Sequence, residues 1–329
     1  MSQTMRSVIV QTNPWENLIK PQNRFNLTAL LADASSVLKF YWAINFENSK
    51  LFLLQLSEHI EIKNKSYELA GIDITIEATN GKQHFILSLK DNSSLDIFYI
   101  ICNDLLQFTK HLNDEQNAVD FMLKRIEKWH YFLKSKRKTL DKRQLLGLVS
   151  ELYFMKNELF PKFGIKTALS FWQAPLQEKQ DFILHDTAIE IKTKSTQNKI
   201  TISSFEQLNS NLQNLFLYVL TVTESDSNLP HAISAMNFID ELKKEFANED
   251  IALLLEFEEL LFSYGYTNNP MYKEFYILIG ENEFYKVTDE FPKISSISQG
   301  IESLSYKINL EVCKPFKIEN FLGAFYDNA

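Results

Sequence analysis

Cysteine and glycine are scarce in this chain. Its 329 residues hold two cysteines, Cys102 and Cys313, neither in a CxxC pair, which argues against a disulfide framework or a zinc–cysteine site. With 8 glycines there is no GxxxxGK loop, no GxGxxG turn after a strand and no GxSxG elbow. Nucleotide-binding phosphate loops and the esterase nucleophile therefore drop out. No apolar run approaches the roughly 18 residues of a membrane span; the longest candidate, IALLLEFEELLF at 251 to 262, is broken by three glutamates. The opening MSQTMRSVIVQTNPW lacks the apolar core of a signal peptide. A cytoplasmic protein with no membrane partner is expected. Positive charge is also short, 34 Lys and Arg against 42 Asp and Glu, for a net charge of −8. Nucleic-acid binding through overall charge is not expected, although a local basic patch sets affinity more than the total does.

Apolar residues at 45% and charged residues at 23% describe a globular chain with a large core, long enough for two domains. KFYWAINFENSKLFLLQLS (39 to 57) reads as two strands around Asn48-Ser49, and IDITIEATNGKQHFILSLK (72 to 90) as a hairpin turning at Asn80-Gly81. This makes 1–94 an N-terminal antiparallel β region. Helical periodicity follows from about Leu95 to Phe160, with two helices before Lys136 and a third from about Leu140. The link KSKRKTLDKR (134 to 143) is the most basic stretch, either a solvated helix end or a surface for phosphates. Strand signals return at 181 to 184, 188 to 194 and 215 to 222, with a helix expected at Ser204 to Asn214. The region 95–225 is thus a helical segment plus an α/β core, and 226–329 a C-terminal α/β extension opened by helices at about 235 to 247 and 250 to 263.

The stretch QDFILHDTAIEIKTK (180 to 194) places Asp181, Glu190 and Lys192 among apolar strand residues. An even-length turn at His185-Asp186 pairs Leu184 with Thr187 and, further out, Asp181 with Glu190, roughly 4.5 to 5.5 Å apart. Lys192 lies two residues on and shares their face. Paired carboxylates repel one another but suit a hard cation such as Mg²⁺, and a neighbouring lysine can stabilise phosphoryl charge. The same stretch also reads as a surface hairpin with a solvated Glu-Lys pair. Upstream, QLLGLVSELYFMKNELF (144 to 160) is a packed helix whose Glu151 borders the apolar stripe, with Gly147 leaving room for a strand.

A helix glutamate followed by Asp-x8-Glu-x-Lys resembles the PD-(D/E)XK nuclease superfamily core. More narrowly, GLVSELYF, FWQAP, QDF, EIKT and ISSFEQL, in this order over about 60 residues, resemble a bacterial family of PD-(D/E)XK proteins similar to restriction and phage-defence components. The opening PW and the helix segment KRIEKWHYF fit the same family. The resemblance implies a restriction-endonuclease-like α/β core, a central mixed sheet flanked by helices. It also implies a metal-dependent phosphodiester hydrolase using Mg²⁺ or Mn²⁺, in particular a DNA endonuclease. By position, Asp181 and Glu190 would ligate the metal, Lys192 would be the catalytic lysine, and Glu151 would orient the attacking water or Lys192. Gln207 sits where related nucleases place a helix glutamine near the site, though Ser204 to Gln207 is also a capping box. Gln180 stands where the superfamily has proline.

Lys194 and Lys199 are further candidates for phosphate contact, His185 for the turn, and Trp172 and Pro175 for fixing the approach to the first core strand. The remaining histidines show no metal-ligand spacing. Expected partners are DNA, protein components of a defence system and a second copy of the chain. Three other readings stay open: a catalytically inactive nuclease fold serving as a nucleic-acid-binding or scaffold subunit, an RNA-directed nuclease, and an α/β structural protein whose hairpin only looks like the motif.

Overall fold

The computed structural model describes residues 13–62, 69, 71–79, 81–134 and 139–319. The chain forms two compact units, Met1–Lys138 with Asn268–Met271, and Thr139–Thr267 with Tyr272–Ala329. No helix among the described residues is long and apolar enough to cross a membrane.

In the first unit five strands, β1 (Thr28–Leu31), β2 (Lys39–Ile44), β3 (Lys50–Ser57), β4 (Ile72–Thr79) and β5 (Lys82–Leu89), form an antiparallel sheet in the order β1-β2-β3-β5-β4. Gly81 takes φ 71° in the β4–β5 turn, a left-handed conformation that glycine adopts at no steric cost; Asn80 lies outside the described residues. Helices α1 (Leu95–Thr109) and α2 (Glu115–Lys134) follow. Trp15 stacks on Phe98 of α1 at 5.4 Å between ring centroids, meets Trp42 edge-on at 4.9 Å, and donates its indole N–H to the Leu51 carbonyl. The expected PW motif is therefore a packing anchor. Between α1 and α2 lies a buried polar cluster. Arg125 holds Asp104 with two hydrogen bonds of 2.8 and 2.9 Å, and Trp129 and Asn268 donate to the same carboxylate. Residues 135–138 of the basic KSKRK stretch lie outside the described residues.

The second unit is built on a mixed sheet. Its strands are β6 (Phe182–Leu184), β7 (Thr187–Lys194), β9 (Asn214–Ser225), β10 (Ile233–Ser234), β11 (Tyr276–Lys286) and β13 (Lys317–Ile318). The order is β10-β11-β9-β7-β6, with β13 on β11; β7 and β9 are parallel and the other pairs antiparallel. A separate two-stranded ribbon pairs β8 (Lys199–Ile202) with β12 (Tyr306–Asn309).

Helices α3 (Lys142–Phe154), α4 (Phe160–Ser170, broken at Gly164), α5 (Ala235–Glu249) and α6 (Ile251–Tyr264) belong to this unit. Asp141 caps α3 through a reciprocal box with Gln144. One face of the sheet carries Ile189, Ile191, Phe216, Tyr218 and Leu220 against these helices. The other carries Ala188, Leu215, Leu217 and Val219 against Ile200, Ile202 and Ile308 of the ribbon. Both faces are covered where β7 and β9 pair in parallel, as such pairing requires, while β11 and β13 stay partly exposed. This is the mixed α/β, restriction-endonuclease-like arrangement the sequence led us to expect.

One expected element is missing. The helix at 204 to 214 is only a single 3₁₀ turn, Glu206–Leu208. Asn209 turns extended and its side chain donates to the carbonyls of Phe205 and Ile294. Its amide competes with the backbone pattern that would continue a helix, and Ser210, Asn211 and Asn214 do nothing to restore it.

Candidate active site

The β6–β7 hairpin has the register anticipated from its turn. Leu184 pairs with Thr187, Ile183 with Ala188 and Phe182 with Ile189, and His185 supplies the positive φ of 53° that the tight reversal needs. Asp181 sits one residue beyond the ladder, at the position facing Glu190. Its backbone carbonyl accepts from the amides of Gln173 and Ala174, and its side chain accepts from the Ile191 N–H at 2.7 Å. Asp181 is thereby fixed at both ends, and its carboxylate is aimed along β7.

Glu190 is fully buried, so the face is not the solvated one of a surface hairpin. By alternation along β7 it shares the side of Ala188 and Lys192, and Lys192 Nζ pairs with its Oε1. Its other oxygen, Oε2, is buried without a hydrogen-bond partner. Glu151, on α3, is also buried; it does not reach solvent. Trp172 Nε1 donates to its Oε2 at 2.8 Å and the Tyr264 hydroxyl to its Oε1 at 2.7 Å. Gly147 leaves its space to that tyrosine rather than to a strand, with the Tyr264 hydroxyl 3.7 Å from where a Cβ would stand.

Three carboxylates and one ammonium share this centre, and their protonation shows the imbalance. Burial pushes the Glu151 carboxyl well up, and Asp181 and Glu190 push it further. Burial and the charge of Asp181 raise Glu190 to about 8 against the pull of Lys192. Asp181 is raised by burial too, with Lys192 and the Ile191 amide opposing. Burial works against the Lys192 ammonium, but Glu190 and Asp181 outweigh it and hold its pKa above the usual lysine value. A cluster of this kind retains protons near neutrality and lacks positive charge.

That deficit, with the orphaned Glu190 oxygen, is what a hard divalent cation would satisfy. Mg²⁺ commonly takes only one or two carboxylates from the protein. Asp181 and Glu190 fit this requirement, whereas both oxygens of Glu151 are already engaged. Among the described residues no group of three His, Cys, Asp or Glu side chains is arranged to hold a metal ion, so any cation would keep most of its coordination for water and substrate.

The centre opens into a cleft of about 690 Å³ lined by Glu151, Asp181, Lys192, Gln207 and Tyr264, among others. Gln207 lines the cleft and its side-chain oxygen accepts from the Ser203 N–H at 2.7 Å; this is not the Ser204–Gln207 box expected, and the 3₁₀ turn carries no side-chain cap bond. Buried Gln180 donates to the Glu206 carbonyl and ties this turn to Asp181. Lys194 also lines the cleft and is ion-paired to Glu283, while Lys199 stands exposed at the rim. Sequence reasoning missed Tyr264 and Lys307; Arg143 ends the basic link read as a candidate surface for phosphates. Trp172 had a signal, the FWQAP block, but was assigned only a packing role; Tyr264 is 113 residues from its partner and had none.

Tyr264→Phe removes one of the two bonds to Glu151 and leaves a buried oxygen unpartnered. It is expected to cost about 1–3 kcal/mol of stability in urea titrations, with the helical signal unchanged; no shift of the midpoint would mean that the hydroxyl does not hold Glu151.

A family model described as "Putative PD-(D/E)XK family member, (DUF4420)" matches residues 11–311 of the chain. No curated protein and no solved structure matches it.

Proposed function

Since this chain belongs to that PD-(D/E)XK family, a nuclease-like one, we propose that it is a divalent-cation-dependent DNA endonuclease of a restriction or phage-defence system. One observation carries this most directly: a buried trio of carboxylates around a single lysine, with one Glu190 oxygen unpartnered, of which Glu151, Asp181 and Lys192 line a cleft. Asp181 and Glu190 would hold the cation. When bound, a divalent ion supplies Lewis-acid polarisation of a scissile phosphate.

The remaining roles fall to the chain itself. Lys192, kept charged by its carboxylate neighbours, places an ammonium where negative charge develops on the phosphate. Glu151 is oriented by Trp172 and Tyr264 and is positioned to set the direction of Lys192 or of an attacking water. The Gln207 side chain can contact the substrate from the cleft wall. Glu190 must release its proton to ligate, so cation binding is expected to liberate protons and to tighten as pH rises towards about 8.

The test is calorimetry with Mn²⁺ and Mg²⁺ at pH 6 and pH 8, on the wild type and on Asp181→Asn, alongside cleavage of duplex DNA and of RNA. The expected result is binding that strengthens with pH, is lost in the variant, and accompanies DNA cleavage. Binding unchanged by the substitution would remove Asp181 from the site. Cleavage confined to RNA would replace DNA as the substrate.

A further inference from the structure

The chain carries a net charge of −8, yet its cleft is basic. Five cationic side chains line it, Arg143, Lys192, Lys194, Lys199 and Lys307, against two acidic ones, Glu151 and Asp181. Lys192 and Lys194 already have carboxylate partners in Glu190 and Glu283. Arg143, Lys199 and Lys307 are exposed and form no ion pair among the described residues.

Two of these three come from the β8–β12 ribbon. Lys307 stands opposite Thr201, and Lys199 opposite Asn309, which puts the two lysines on a cross-strand diagonal. Diagonal neighbours in an antiparallel pair lie about 7–8 Å apart, within repulsive range of one another. Lys199, Thr201 and Lys307 share the face that lines the cleft, and the alternate residues Ile200, Ile202 and Ile308 are buried against the sheet. Both ends of the ribbon are tied. Ser305 Oγ donates to the Ile202 carbonyl, the Leu310 N–H donates to Asn198, and Asn198 Nδ2 reaches Glu311 at 2.6 Å. The ribbon also covers the sheet face on which Glu190 and Lys192 lie. Here two like charges are held on a rigid, core-anchored support without a counter-charge, beside the carboxylate centre. An anion with spaced charges would complement such a support.

We propose that the β8–β12 ribbon is a backbone-binding wall of the cleft, with Lys199 and Lys307 each contacting a phosphate of the nucleic-acid strand to be cut. This rests on the nuclease function proposed above and extends it to residues far from the motif: Lys307 follows Lys192 by more than a hundred residues and reaches the cleft only because β12 pairs with β8. A single bound phosphate would engage one lysine; a phosphodiester backbone can engage both.

Anisotropy titration of a labelled DNA duplex, with chelator present to stop cleavage, separates the possibilities. Binding is measured over a range of salt for the wild type, Lys199→Gln, Lys307→Gln and, as a charge-matched control on α5, Lys244→Gln. Each ribbon substitution is expected to weaken binding about tenfold and to reduce the slope of log affinity against log salt by about one, with the control unchanged. If the wild type binds and the two ribbon variants match it in affinity and slope, the ribbon proposal is overturned while the nuclease proposal stands. Equal losses in the Lys244→Gln control would likewise overturn it, because total charge alone would then explain the effect. A wild type that binds neither DNA nor RNA would overturn the ribbon proposal, while the nuclease proposal stands or falls on the cleavage assay with Mn²⁺ and Mg²⁺. Losses seen with an RNA duplex, from a wild type that does not bind DNA, would keep the ribbon and reassign the substrate.

Discussion

Replacing Glu190 with glutamine is expected to abolish cleavage and, at the same time, to make the protein more stable above neutral pH. The loss of activity follows from the proposed role of Glu190 as a cation ligand, whose removal is expected to slow cleavage by at least about a thousandfold. The gain follows from its protonation. The carboxyl has its pKa pushed up to about 8 by burial and by Asp181, whereas in the unfolded chain it titrates near 4.3. Between these values the folded protein holds a proton that the unfolded chain has released. Stability is therefore full at low pH and declines as pH rises through this window. Glutamine does not titrate, and its carbonyl oxygen can still accept from Lys192, so the variant should escape that decline. The difference at pH 8 is expected on the order of a few kcal/mol, vanishing near pH 4. Urea midpoints across that range give the answer, and parallel curves for the two proteins would show that Glu190 is not strained by its neighbours.

The second large effect lies in the first unit. Arg125→Ala should destabilise that unit by about 3–5 kcal/mol, because it leaves the Asp104 carboxylate buried with no opposite charge. Burial acts to raise the Asp104 pKa, but Arg125, Trp129 and Asn268 together outweigh it and keep the carboxyl below its usual range. The guanidinium also lies over the Phe108 ring at 4.7 Å, so the substitution loses packing as well as charge. Asp104→Asn combined with Arg125→Met should recover part of the loss, but only part, since Trp129 Nε1 and Asn268 Nδ2 are arranged for a carboxylate. Chemical denaturation of the wild type and the two variants checks this order. Because Asp104 is ionised to unusually low pH, the deficit of Arg125→Ala should narrow only as acid protonates its carboxyl, whose pKa rises once Arg125 is gone.

Features encoded by neighbouring residues could be read from the sequence. The Asn80-Gly81 hairpin and the turn at His185 follow from local turn chemistry plus alternation, and that alone set the register facing Asp181 towards Glu190. The helix stripe through Leu145, Leu148 and Leu152 likewise located Glu151 at a buried border. Contacts between distant residues could not be read. Tyr264 completes the setting of Glu151 from another helix, Asn268 completes that of Asp104, and β12 supplies Lys307 by pairing with β8. None has a short-range signature, since each depends on how remote elements dock. The expected helix at 204 to 214 failed for the opposite reason: its capping pattern is a local signal only, since the turn forms no side-chain cap bond and the asparagine-rich segment after it does not propagate a helix. The KRIEKWHYF segment proved informative in an unexpected way, because its Arg125 and Trp129 are the buried partners of Asp104.

The short return of Asn268–Met271 to the first unit also bears on how such a protein can change over evolutionary time. Modules that occupy one uninterrupted stretch of a gene can be exchanged in a single recombination event. Here a crossover near residue 139 would transmit the N-terminal segment without Asn268, the asparagine its buried Asp104 was shaped around. Hybrids made there should begin with a defect in the inherited half, so lineages are expected to diversify by substitution and loop insertion rather than by trading one unit for another. Reconstructing Asn268 in a fused segment would be the repair that an engineered chimaera needs first.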